Sequence, residues 1–111
     1  MKILMVTMAM HIGGAETHIL ELCRALSRMG HRITLASNGG VYADMLAAEG
    51  ITQVSLPLHT KKPWAVARSY RGLEKLICGG EFDLVHAHAR IPAWICGLLW
   101  DKYHFRFATT A

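Results

Sequence analysis

Two histidines separated by one residue, in the run Asp83-Leu84-Val85-His86-Ala87-His88-Ala89-Arg90, are the pair whose type and spacing point most directly to chemistry. If this run is a β-strand, side chains repeat every second residue and both imidazoles leave the same face near the strand end. Imidazoles so placed can hydrogen-bond a sugar or phosphate, act as acid and base near neutral pH, or ligate a metal. A metal site would want a third ligand, and no nearby Cys, Asp or Glu has an obvious spacing for it, so none is expected. The plain structural alternative is a pair that fills a polar strand end. Of the two, His88 is expected to face a ligand and His86 to lie further inside, because only His88 is at the tip. Arg90, just beyond, is grouped with His86 as a candidate for binding substrate or phosphate.

The second candidate is the loop Ala9-Met10-His11-Ile12-Gly13-Gly14, which leads into a helix beginning near Ala15. Gly13 and Gly14 lack Cβ atoms, so a ligand can approach the backbone closely. The free N–H groups of the first helical turn and the helix dipole attract a phosphate or similar anion. A flexible turn, with Glu16 simply complementing the dipole, is the alternative. The loop lacks the G-x-G-x-x-G pattern of dinucleotide sites, which argues against a nicotinamide cofactor.

The elements that must position these residues follow from hydrophobic periodicity. Ile3 to Thr7 is a continuous apolar run, the mark of a strand covered on both faces. Ala15, Ile19, Leu22, Cys23 and Leu26 form one stripe of an amphipathic helix that Gly30 ends. Arg32 to Ser37 reads as a second strand closed by Asn38-Gly39-Gly40, Val41 to Glu49 as a short helix, and Ile51 to Leu56 as a third strand stopped by Pro57. Pro63 suits the first turn of a helix to about Ile77, broken at Gly79-Gly80. Phe82 to His88 is the fourth strand, Pro92 opens a helix to about Tyr103, and Phe105 to Thr109 starts a fifth strand.

Strands alternating with helices imply right-handed crossovers and an open parallel Rossmann-like α/β sheet of about five strands, with helices on both faces. With strand order 3-2-1-4-5, the ligand crevice falls between strands one and four, where the glycine loop and the histidine pair both end.

The chain's 111 residues suffice for one domain, and 52% hydrophobic against 18% charged residues excludes disorder. So low a charge also hints that some surface is normally covered. The net charge of +4, without a Lys/Arg block, favours anionic partners weakly, and nucleic acid no more than phosphate metabolites or acidic lipid. Cys23, Cys78 and Cys96 are odd in number and form no C-x-x-C pair, as for reduced thiols in a cytoplasmic protein. The longest uncharged apolar run, Ile91 to Trp100, is too short to span a bilayer, and the apolar start lacks a cleavage pattern for a secretion signal.

Gly13-Gly14-Ala15-Glu16, the helix end Leu26-Ser27-Arg28-Met29-Gly30-His31, Pro63-Trp64, Phe82-Asp83-Leu84-Val85-His86-Ala87-His88 and Phe107-Ala108-Thr109-Thr110 together resemble the amino-terminal domain of family 4 glycosyltransferases. The resemblance implies the GT-B architecture, two Rossmann-like domains facing across a cleft. It further implies retaining transfer of a sugar from a nucleotide-diphospho-sugar donor to a glycan or lipid-linked acceptor, without a cofactor. Carried over, Gly13 and Gly14 would offer backbone N–H groups to the leaving diphosphate, and His88 would hydrogen-bond and position the donor sugar. The family's donor-binding domain carries two glutamates eight positions apart, and no pair here has that separation. The family also continues past the fifth strand with a His-Gly loop. The chain is therefore expected to be the acceptor-side part of a larger enzyme and inactive alone.

Along the helix after Pro63, Trp64, Arg68, Arg71 and Lys75 fall on one face, preceded by Lys61 and Lys62, while Val66, Leu73 and Ile77 face inward. A basic face with an aromatic edge suits a membrane surface carrying anionic lipid, and such a protein would sit peripherally on the inner face of the cell membrane. A merely solvated face is the alternative. Two other classes compete with the transferase. One is a non-catalytic, flavodoxin-like nucleotide- or phosphate-binding module, complete at this length. The other is a structural interaction domain with inert histidines.

Overall fold

The computed structural model describes residues 1–10 and 13–110. Strands β1 (Lys2–Val6), β2 (Arg32–Ser37), β3 (Thr52–Ser55), β4 (Leu84–His88) and β5 (Phe107–Thr110) alternate with helices α1 (Gly14–Arg28), α2 (Val41–Ala48), α3 (Pro63–Gly80) and α4 (Arg90–Tyr103). The strands form one parallel sheet in the order β3-β2-β1-β4-β5. This is the Rossmann-like arrangement that the alternation of apolar runs and amphipathic stripes predicts.

The central strand β1 is apolar on both sides because both sides are covered. Ile3 and Met5 point into a layer with Ile19, Leu20 and Cys23 of α1, Ala43 and Leu46 of α2, and Ile33 and Leu35 of β2. Leu4 and Val6 point the other way, against Leu73 of α3, Ile95, Cys96 and Leu99 of α4, and Val85 and Ala87 of β4. Each large aliphatic side chain so removed from water contributes about 1.5–3 kcal/mol. Since Val85 and Ala87 face α3 and α4, the alternation of β4 turns His86 and His88 toward the α1 side. The register pairs Met5 with His86 and His88 with Thr110, so these side chains share that face.

Several boundaries differ from the sequence expectation. Helix α3 runs through Gly79-Gly80 and ends at Glu81, whose left-handed φ of 53° closes it. Lys2 Nζ donates to the Gly80 carbonyl at 2.5 Å and supports this last turn. Helix α4 begins at Arg90, two residues before Pro92. Pro92 still lies in the first turn, where its missing N–H breaks no intrahelical bond. Strand β4 begins at Leu84; just before it the Asp83 backbone N–H donates to the Lys2 carbonyl and the Asp83 carboxylate accepts the Lys2 backbone N–H, both at 2.7 Å. Strand β5 begins at Phe107 and β3 spans only Thr52–Ser55.

Candidate functional site

Helix α1 is the element after β1 and has Gly13 as its N-cap, and no side chain caps it. The first intrahelical bond is the Thr17 N–H to the Gly13 carbonyl at 2.9 Å, so the N–H groups of Gly14, Ala15 and Glu16 have no partner within the helix. Neither glycine is required by the backbone. Gly13 is extended, at φ 178°. At Gly14 an added Cβ would meet nothing within 4 Å, and at Gly13 it would meet only the Glu16 carboxylate. That carboxylate lies back over the helix start, where the positive end of the dipole favours negative charge.

The loop before α1 is braced by the loop before α2. Asn38 N–H donates to the Met8 carbonyl at 2.9 Å, Met10 N–H to the Gly39 carbonyl at 2.7 Å, and Tyr42 N–H to the Met10 carbonyl at 2.9 Å. Gly39 and Gly40 adopt φ of 91° and 125°, which lets that loop present its carbonyl inward. The sequence marks Asn38-Gly39-Gly40 as a turn but carries no sign that it supports the other glycine loop. Two expected loop positions, His11 and Ile12, lie outside the described residues.

Between the start of α1 and the end of β4 is a cavity of about 380 Å³ whose lining includes Thr7, Ala15, Glu16, His18, His88 and Thr110. It lies at the carboxyl ends of adjacent strands β1 and β4, as open parallel sheets place their ligand sites. His88 is only 5% exposed, and its Nε2 is buried without a hydrogen-bond partner. Burial, with the nearby His86 and His18 imidazoles adding to it, pushes the His88 pKa down to about 4, so the ring is neutral at pH 7. A neutral imidazole with one unpaired nitrogen can donate or accept one hydrogen bond from a ligand in the cavity. Among the described residues no three of His, Cys, Asp and Glu converge as a metal-ligand set.

His86 is the more exposed of the two histidines, contrary to the sequence expectation. His86 stands beside Thr110 of the edge strand β5, whereas His88 shares its cavity with Ala15, Glu16, His18 and Ile19 of α1. His86 Nε2 shares a hydrogen bond of 2.8 Å with the Thr110 hydroxyl. The chain after β4 turns sharply into α4 at Ala89, at φ 76° and ψ 170°, a conformation ordinarily reserved for glycine and costing about 1–3 kcal/mol. Strain of that size sits beside the cavity, held by the Ala89 N–H to the Thr110 carbonyl at 3.1 Å.

The structure brings the start of α1 and His88 together, although Ala15 and Glu16, rather than Gly13 and Gly14 themselves, contribute to the cavity wall. Arg90 is not on that wall. It is exposed at the start of α4, on a smaller recess with Ala93, Thr109 and Thr110. Trp64, Arg68, Arg71 and Lys75 are exposed along α3, on the other side of the sheet from α1. Sequence reasoning missed Thr7, His18 and Thr110. Thr110 could have been found from its alternation with Ala108 beside His86 and His88, whereas His18 depends on how α1 packs.

The glycosyltransferase family 4 model matches residues 12–111. No curated protein matches the chain. Among solved structures, a glycosyltransferase from Rickettsia africae superposes with a TM-score of 0.79 at 23% identity, over 98% of this chain and 29% of that one. MurG of Acinetobacter baumannii gives 0.73 at 14% identity, over 97% and 34%. The carboxy-terminal domain of a Pyrococcus furiosus hydrogenase, PF1911, gives 0.71 at 13% identity, over 99% and 90%. The chain thus spans about a third of the two glycosyltransferases, and at these identities the structural likeness speaks to the fold alone. With the family model matched along nearly its whole length, this chain belongs to glycosyltransferase family 4 and has the Rossmann-like fold of a GT-B domain.

Proposed function

We infer that the chain is the amino-terminal, acceptor-side part of a retaining glycosyltransferase that transfers a sugar from a nucleotide-diphospho-sugar. The observation that carries this reading is that His88, whose buried Nε2 has no hydrogen-bond partner, lines the same cavity as Ala15 and Glu16 at the uncapped start of α1. A charged imidazole would suit a phosphate, but a neutral one suits a sugar hydroxyl, while the N–H groups of Gly14, Ala15 and Glu16 suit a diphosphate.

During transfer, negative charge builds on the departing nucleoside diphosphate. Fixed N–H dipoles aimed at that charge stabilise it without reorganisation. His88 orients the sugar by one hydrogen bond, and no nucleophile from this chain takes part. The glycan or lipid-linked acceptor enters from the side of this domain, and a second domain supplies most of the donor site. Arg90, on the neighbouring recess with Ala93, Thr109 and Thr110, is a candidate substrate or phosphate contact outside that cavity. The protein acts in the cytoplasm, where nucleotide-sugars are made.

The test is transfer by the complete protein from labelled UDP- and GDP-sugars, with and without His88→Ala. Loss of transfer with an unchanged circular dichroism spectrum supports the reading, and unchanged turnover defeats it. The competing reading, a phosphate-binding module complete in itself, draws on the Pyrococcus domain, 90% of which this chain covers. Tight binding of a mononucleotide by the isolated chain, with no transfer by any longer form, would establish it instead.

A further inference from the structure

The start of α1 is built from the residue type least able to hold a shape by itself. Glycine loses more conformational freedom on ordering than any other residue, and at Gly13 no side chain caps the helix. The N–H groups of Gly14, Ala15 and Glu16 can act on a ligand as fixed dipoles only if something else sets their direction. That matters for charge built up during a reaction, because dipoles already aimed at it need no reorganisation.

Hydrogen bonds from outside the glycine pair set that direction. The Gly13 carbonyl accepts twice from Thr17, from its N–H at 2.9 Å and from its hydroxyl at 2.5 Å. Thr17 Oγ1 in turn lies 3.1 Å from the Tyr42 hydroxyl. A hydroxyl carries one proton. Thr17 gives its proton to the Gly13 carbonyl, so Tyr42 is the donor to Thr17, and the relay runs from Tyr42 through Thr17 to Gly13.

Tyr42 is suited to anchor it. Its ring packs against the core layer that α1 and α2 form on the sheet, and its backbone N–H donates to the carbonyl of Met10 at 2.9 Å. One residue of α2 therefore holds the chain on both sides of the loop, at Met10 directly and at Gly13 through Thr17. Stability does not account for the two hydroxyls. A threonine bonded to the carbonyl four residues back slightly destabilises a helix, and the packing of the Tyr42 ring does not need its oxygen.

We propose that Thr17 and Tyr42 are positioning residues for sugar transfer. Through this relay they hold the first turn of α1 so that its free N–H groups meet the diphosphate of the donor. The proposal rests on the sugar-transfer reading of the His88 cavity. Neither residue lines that cavity, so each acts through Gly13 and not by contact with the donor.

The experiment is transfer by the complete protein from labelled UDP- and GDP-sugars, with donor concentration varied, for Thr17→Val, Thr17→Ser, Tyr42→Phe and the double variant Thr17→Val with Tyr42→Phe. Thr17→Val keeps the side-chain shape and removes the hydroxyl. It should lower kcat/KM for the donor about tenfold, equivalent to about 1.4 kcal/mol. Part of the loss should appear as a higher KM, which a smaller folded fraction cannot produce. Thr17→Ser keeps the hydroxyl and should restore most of the loss, while Tyr42→Phe should lower the same ratio about threefold. Because Tyr42 acts only through Thr17, the double variant should be no worse than Thr17→Val alone. Circular dichroism melts confirm that each variant is folded, and Thr17→Ala replaces Thr17→Val if that one is not. Losses that multiply in the double variant overturn the proposal, since two unconnected contacts would behave that way. So does a Thr17→Ser variant as poor as Thr17→Val. Transfer abolished by His88→Ala but untouched by Thr17→Val overturns it while the sugar-transfer reading stands, and no transfer by the unaltered protein defeats both.

Discussion

The rings of His86 and His88 stack with centroids 4.1 Å apart and planes tilted by 35°. The contact follows from β-strand alternation, but its consequence comes from the surroundings. His86 is tied to Thr110 at the open margin of the sheet, while His88 is sealed beneath the start of α1 with one nitrogen unpaired. One imidazole thus buttresses the other, and only the second faces the cavity.

The low pKa of His88 makes stability depend on pH. In the unfolded chain the ring takes up a proton near pH 6.5, whereas in the fold burial holds it neutral down to about pH 4. Between these values the unfolded state binds more protons, so stability falls as pH is lowered through that window. His86, also pushed down by burial, adds to the trend in the same direction. Denaturant melts from pH 7 to pH 4 should show the decline, and His88→Asn, which cannot titrate, should flatten it.

His88→Asn or His88→Ala in the complete glycosyltransferase should lower transfer roughly 10²-fold or more, the scale of losing one positioned hydrogen bond to the reacting group. The fall should appear in kcat/KM with the fold retained. A loss below threefold would return His88 to a purely structural role.

Gly14 and Gly50 should separate ligand from fold. Gly14→Val adds a side chain where the structure has open space, so thermal stability should change little while donor binding by the complete protein is lost. Gly50 lies beyond α2 with φ 89°, and Gly50→Val should cost about 1–2 kcal/mol with donor binding intact. Calorimetry of the two variants side by side reads both effects.

Ala89→Gly should raise stability by about 1 kcal/mol, because glycine accepts the φ of 76° that alanine holds under strain, less the entropy that glycine adds to the unfolded chain. A melting temperature that falls would mean the strain is not stored there.

The three thiols should divide two to one. Cys23 and Cys96 are fully buried, with pKa values pushed up to about 12 by burial, whereas Cys78 is exposed. Iodoacetamide should label one site in the native protein and three in denaturant, as counted by intact mass.

Much of this architecture is a matter of local periodicity and is therefore written in the chain. The apolar run Ile3-Leu4-Met5-Val6 could only be a strand covered twice, the stripe through Ile19 and Cys23 had to bury one side of α1, and the single-residue spacing of His86 and His88 put them on one face. Steric limits on crossovers give a parallel sheet of fixed hand, and the strand order comes with the Rossmann-like class rather than from the residues themselves. The tertiary structure alone decided which surroundings those side chains received. It left His88 the more buried of the pair, set Arg90 on a separate recess, used Gly39 to brace the loop of Gly13, and brought Trp94 of α4 beside Arg71 of α3. These relations join residues distant in sequence through the packing of whole helices, and a pattern that repeats every two or four residues carries no information about them.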